Sequence, residues 1–185
     1  MSIVRKLEPI SLEVYLTREE RSPTRHEYIH GYLRAMTGSS DIHNKLAGRL
    51  YAALLSHLSD PPCETFISDM KLMTADRVYY PDVWVCCNDP SRDAYFRTCP
   101  LLIVEVLSPS TEATDRFEKL LCYQQLDSLQ EYVLVAQDTV RVEVYRRAAG
   151  NWDLEICTED DTVELCSIAL ALPIAEIYSS AIRPT

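Results

Sequence analysis

The sequence predicts an α/β (α+β) fold in which a central mixed β-sheet is flanked by helices. Three observations carry that prediction. Ile42, Leu46, Leu50, Leu54 and Leu58 recur at helical spacing over residues 41 to 58. The run Leu101 to Leu107, LLIVEVL, is apolar on both faces but for one glutamate, as in a central strand covered on both sides. The elements follow the order helix, hairpin, helix, strands, helix, strands, which packs as helices on a mixed sheet.

Residues 10 to 20 form a short helix around Leu12 and Leu16, with flanking glutamates. Residues 25 to 36, RHEYIHGYLRAM, form a hairpin turning at His30-Gly31. The helix over 41 to 58 takes Asp41 as its N-cap. Thr65 to Met73 and Val78 to Cys87 are the next two strands, and Leu101 to Leu107 is the central one. Thr111 to Leu126 is a second long helix, with Phe117, Leu120, Leu121 and Leu126 as its apolar positions. Strands follow at Glu131 to Ala136, Val140 to Arg146 and Trp152 to Cys157, and a last short helix at Ile174 to Ser180. With four glycines, ten prolines and no repeat or linker, residues 1 to 185 are expected to form one domain.

Eighteen Lys and Arg against 28 Asp and Glu give a net charge of −10. That balance argues against a protein that wraps nucleic acid tightly and without specificity. It leaves room for a local basic face, for which Arg18, Arg21, Arg25, Arg34, Lys45 and Arg49 are candidates. The longest apolar run, Ile168 to Ala175, is too short to span a membrane, and the N-terminus does not resemble a secretion signal. No membrane partner and a cytoplasmic location are therefore expected. Seven cysteines stand at 63, 86, 87, 99, 122, 157 and 166 without a C-x-x-C pair, so buried reduced thiols are expected rather than zinc ligands.

The informative residue is Glu105, a carboxylate inside an apolar strand. Buried there, it must pair with a cation, bind a metal or take up a proton. Asp82 sits in the neighbouring strand after Pro81, where a proline marks an edge or bulge that re-aims a side chain. Two carboxylates on adjacent strands suit a hard divalent cation that keeps several waters, one of them a nucleophile. A nearby lysine would orient that water or neutralise charge on a phosphate. Asp115, Lys119 and Tyr123 fall at i, i+4 and i+8 on one face of the following helix. Asp69 and Lys71 share a face of the strand before Asp82, so one of them could approach the same site, Lys71 as a candidate lysine. His43 at a helix start is expected to be a surface or capping residue. Ser108 and Ser110 lack a surrounding G-x-S-x-G, so they are expected to serve the turn.

Pro81-Asp82 followed 23 residues later by Glu105 resembles the P-D…(D/E)-x-K pattern of restriction-endonuclease-like nucleases. The wider runs YYPDVWVCC and LLIVEVLSPSTEATDRFEKLLCYQQLDSLQEYVLV, with HEYIHGYL and FISDMKL upstream, resemble the Uma2 family over roughly residues 10 to 178. The lysine expected two residues after the second acid is absent, because Leu107 stands there. The resemblance implies a restriction-endonuclease-like core, Lys119 as the substitute lysine, and Glu27 as an additional acid near the metal. It implies an Mg²⁺- or Mn²⁺-dependent endodeoxyribonuclease. The metal would be held by Asp82, Glu105 and the carbonyl of Val106, with DNA as substrate and a homodimer as the assembly. A nuclease fold without turnover, serving binding or assembly, is the alternative.

Overall fold

The computed structural model describes residues 8–91 and 93–178. Helix α1 (Leu12–Glu19) precedes the hairpin β1 (His26–Ile29) and β2 (Tyr32–Ala35). The hairpin turns at His30 and Gly31 with φ of 51° and 92°, the pair of positive values that a two-residue turn requires. A side chain at Gly31 would also collide with Pro9, its Cβ only 2.5 Å away. Helix α2 (Asp41–His57) is capped by Ser40, whose extended backbone lets its hydroxyl accept from the His43 amide. The expected N-cap, Asp41, instead lies in the first turn, where its charge favours the helix dipole.

The expected strand over Thr65 to Met73 divides into β3 (Cys63–Ile67) and β4 (Lys71–Met73). The one over Val78 to Cys87 divides into β5 (Arg77–Tyr79) and β6 (Val83–Cys87). In both cases the chain leaves one sheet for another at the break. A five-stranded sheet has the order β2-β1-β5-β4-β7, with β7 at Phe96–Arg97. A six-stranded sheet has the order β11-β10-β9-β8-β6-β3. Here β8 is Pro100–Leu107, β9 Glu131–Ala136, β10 Val142–Ala148 and β11 Asn151–Cys157. The two crossings lie side by side, the Ser68 amide donating to the Asp82 carbonyl at 3.0 Å. Pro81-Asp82 therefore sits at the seam between the sheets.

Strands β8 and β9 run parallel, so the chain must cross over between them. The crossover holds a π-helical turn, Thr114–Lys119, that continues as α3 (Leu120–Tyr123). Only half of the expected apolar stripe packs inward: Leu120 and Leu126 are partly buried against the core, whereas Phe117 and Leu121 are 68% and 63% exposed. Asp115, Lys119, Cys122 and Tyr123 are turned inward instead, because the layer beneath supplies polar partners for them. A hairpin not foreseen in the sequence, β12 (Thr162–Leu165) with β13 (Leu170–Pro173), and α4 (Ile174–Ile177) complete the fold. Ser179 and Ser180, placed in that last helix by the sequence, lie outside the described residues. No helix among the described residues is long and apolar enough to cross a membrane.

The six-stranded sheet is covered on both faces, as the apolar β8 run demands. On one face Leu46, Leu50 and Leu54 of α2 pack on Val83, Val85, Leu102, Val104, Val106 and Val133. On the other, Trp84, Ile103, Leu107 and Leu134 pack with Tyr79, Tyr123 and Tyr132. Leu54 is fully buried in the first layer, so Leu54→Ala is expected to cost about 2–5 kcal/mol in urea unfolding.

Arg116 and Arg141 clamp the carboxylate of Glu143 at 2.7 and 2.8 Å and tie the π-helical turn to β10. Burial pushes the Glu143 carboxyl up, but the two arginine hydrogen bonds outweigh it and hold it below 4.5. A depressed folded value adds stability above the unfolded pKa that is lost as pH falls through the folded one. Glu143→Gln is thus expected to lose about 1–3 kcal/mol at neutral pH. Its loss of stability below about pH 4.5 should be shallower than that of the wild type, measured by urea unfolding across pH.

Two further expectations change. Cys63 and Cys87 are joined by a disulfide rather than reduced. They stand directly opposite in the β3–β6 register, a pairing invisible without the sheet. Much of the proposed basic face is already engaged. Arg25 pairs with Asp69, Arg34 with Glu27 and Glu118, and Lys45 with Asp41, while Arg49 donates to the Glu176 carbonyl.

Candidate active site

Glu105 lies within β8, and strand alternation turns its side chain away from Val104 and Val106 into the layer of tyrosines. Its amide neighbour Val106 points its N–H toward the seam and donates to Asp82 Oδ2 at 2.8 Å. The N–H and C=O of one strand residue leave on the same side, so the Val106 carbonyl shares that side of β8. The Asp82 amide in turn donates to Glu105 Oε2 at 3.2 Å. The two acids are thereby locked together by the main chain.

Lys119 reaches this pair from the π-helical turn, a local winding that recurs at functional sites. Its ammonium lies 2.8 Å from Glu105 Oε1, 3.0 Å from Asp115 Oδ1 and 3.4 Å from Glu27 Oε1. The Asp115 approach is an ion pair without hydrogen-bond alignment. The Tyr123 hydroxyl donates to Glu105 Oε1 at 3.3 Å, on the helix face that carries Asp115 and Lys119. Glu27 comes from β1, cross-strand from Arg34, whose guanidinium also binds Glu118 at 2.6 Å.

These buried groups carry more negative than positive charge. Burial raises the Glu105 carboxyl well above its usual range; Lys119 pulls it back, while Asp115 and Asp82 push it further up. Burial works against the Lys119 ammonium, yet Glu105, Tyr123, Asp115 and Glu27 hold its pKa well above the ordinary value. Burial leads the first shift and the surrounding carboxylates the second, and their surplus of negative charge favours uptake of a proton or a cation.

Asp82, Glu105, Lys119 and Glu27 line one cavity of about 430 Å³. Its walls are the loops at 36–40 and 108–111, rich in hydroxyls, with Arg34, His43 and Gln137. Ser108 serves the turn, its carbonyl accepting from the amides of Thr111 and Glu112. His43 is not a surface residue. It is buried, and its Nε2 bonds Asp82 Oδ1 at 3.0 Å. Burial opposes its charging, but the Asp82 hydrogen bond prevails and raises its pKa above 6.5. Nothing local marked it, because its partner lies 39 residues away in sequence. Lys71 and Asp69 are not part of this cavity. Lys71 lies between the rings of Tyr80 and Tyr95, and Asp69 is exposed beside Arg25.

Among the described residues no three His, Cys, Asp or Glu side chains form a ready metal cage. The donors on the wall of this open cavity are the carboxylates of Asp82 and Glu105, with excess negative charge around them. That set is unsuited to a structural metal. It fits Mg²⁺, which binds through one or two carboxylates and keeps its waters.

The profile of the Uma2 family, described as "Putative restriction endonuclease", matches residues 12–175. One uncharacterized protein of Synechocystis sp. is 39% identical over 173 residues, covering 91% of each chain. A second from the same organism is 34% identical over 171 residues, covering 89% of this chain and 97% of its own. The crystal structure of a "putative nuclease belonging to DUF820" from Anabaena variabilis superposes with a TM-score of 0.76 at 23% identity. That match covers 91% of this chain and 97% of the other, and it shows a shared fold.

Proposed function

The chain belongs to the Uma2 family, and from that premise we propose that it is a divalent-metal-dependent endonuclease hydrolysing phosphodiester bonds of DNA. The observation that carries the reading is the meeting of Asp82, Glu105 and Lys119 at one cavity wall. Asp82, Glu105 and the Val106 carbonyl would hold Mg²⁺ or Mn²⁺. When bound, the ion supplies a water of lowered pKa and neutralises charge on the phosphate. His43 and the Val106 amide fix the two oxygens of Asp82. Tyr123 and Lys119 fix Oε1 of Glu105. Lys119 places its ammonium where it orients the attacking water and meets the charge developing on the phosphate. Glu27 and Asp115 hold that ammonium in place.

The test is cleavage of a panel of single- and double-stranded DNAs by the purified protein, with Mg²⁺, with Mn²⁺ and with chelator. Cleavage stimulated by metal is the expected result, and its absence on every member overturns the reading. We place the active form in the cytoplasm as a two-fold dimer, the commonest closed assembly and one that brings two sites to a duplex.

A catalytically inert binding or assembly module is favoured by one observation: Lys119 is already matched by three carboxylates in a protein of net charge −10. Calorimetric titration separates the two readings. Mg²⁺ or Mn²⁺ heats that are lost in Glu105→Ala support the nuclease; no binding to the wild type supports the inert module.

A further inference from the structure

The nuclease chemistry leaves one buried cation unused. Lys71 is 8% exposed, yet among the described residues its ammonium has neither an ion-pair partner nor a hydrogen-bond acceptor. Its neighbours are aromatic: Nζ lies 5.6 Å from the ring centre of Tyr80 and 5.7 Å from that of Tyr95. Two rings only partly replace the counter-charge that a carboxylate would supply. Burial lowers its pKa first, and Arg25 lowers it further as a second nearby cation. Glu19, Asp93 and Glu20 offset this only in part. Arg25 itself has one loose surface pair, Asp69 at 3.5 Å. Among the described residues no carboxylate thus stands within ion-pair distance of Lys71, and Arg25 nearby has only that one loose pair. Tyr95, 63% exposed, offers a bare ring beside Lys71.

We propose that Lys71 and Arg25, with Tyr95 at the rim, form a subsite for one phosphate and the adjoining base of a nucleic-acid strand. Tyr80 links this subsite to the catalytic cavity, since it lines that cavity and also covers Lys71. A phosphate there would give Lys71 the counter-charge it lacks, and Tyr95 would stack a base, the combination that grips single strands. The choice of a nucleic-acid strand as the source of the phosphate rests on the nuclease reading; the unpaired Lys71 rests on its burial and its two aromatic neighbours.

Fluorescence anisotropy of a labelled oligothymidylate, in chelator at low ionic strength, tests this without cleavage. Lys71→Met is expected to weaken binding about five- to tenfold. It should also make the plot of log affinity against log salt shallower by about 0.7, one phosphate contact on a single strand. Lys71→Arg should retain both. Tyr95→Ala alters an exposed side chain without disturbing the core, so its expected loss of affinity does not depend on the folding of the lysine variant. Wild-type affinity and salt slope in Lys71→Met or wild-type affinity in Tyr95→Ala overturns the subsite, and so does an unmodified protein that binds no oligomer. Displacement of the oligomer by inorganic phosphate at equal phosphate concentration would overturn the strand as occupant. Binding with the expected losses but no metal-dependent cleavage would instead leave the subsite standing and remove the nuclease reading.

Discussion

Lys119→Met is expected to lower kcat for metal-stimulated DNA cleavage about 100- to 1,000-fold. The ammonium it removes touches Glu105, Asp115 and Glu27, and among the described residues no other cation lies within ion-pair distance of Glu105. The same change should destabilise the protein at neutral pH by about 3–5 kcal/mol, because it leaves buried carboxylates without their cation. The two effects part company with pH. In the variant, Glu105 keeps the burial and the Asp115 and Asp82 charges that raise its pKa, and loses the Lys119 charge that lowers it. An acid whose folded pKa is raised contributes stability when protonated and loses it as pH rises from the unfolded value through the folded one. The instability of Lys119→Met should therefore be smallest near pH 4.5 and grow upward from there, while cleavage stays lost throughout. Urea unfolding across pH, beside initial cleavage rates, measures both. Cleavage near the wild-type rate would remove Lys119 from the chemistry.

Asp82→Asn is expected to abolish Mg²⁺ binding by calorimetry and to reduce cleavage at least about 100-fold, with the fold intact. Asparagine keeps the size of the side chain and one acceptor, so the contacts with the Val106 amide and His43 are partly retained. What it removes is the charge of a seam carboxylate whose oxygens are aimed by those contacts. An unfolded variant would show instead that Asp82 mainly joins the two sheets. A folded variant with undiminished Mg²⁺ binding would move the metal away from Asp82.

Much of the site was legible in the sequence. Glu105 stood out because a carboxylate in LLIVEVL must be paired. Asp82 stood out because the proline before it interrupts a strand. Spacing at i, i+4 put Asp115 and Lys119 on one helix face, the Uma2 resemblance singled out Lys119, and the π-helical turn still brings the two together. His43 was missed, since a histidine at a helix start has no local sign of its partner. Phe117 and Leu121 misled, because apolar spacing names a stripe but not the surface that the stripe meets.

What the sequence determined by itself is what short-range physics encodes. Periodicity built α2, the His-Gly pair marked the hairpin turn, and the unbroken apolar run around Glu105 placed β8 at the centre. Only the tertiary structure decided the rest. The chain changes sheets at Ser68–Met70 and again at Tyr80–Asp82. Cys63 faces Cys87. Glu27, His43, Asp82, Glu105 and Lys119 meet at one wall. The physical reason is that register and burial depend on partners far away in sequence. A carboxylate's charge acquires its cost, and an ammonium its value, only once water has been excluded from around them.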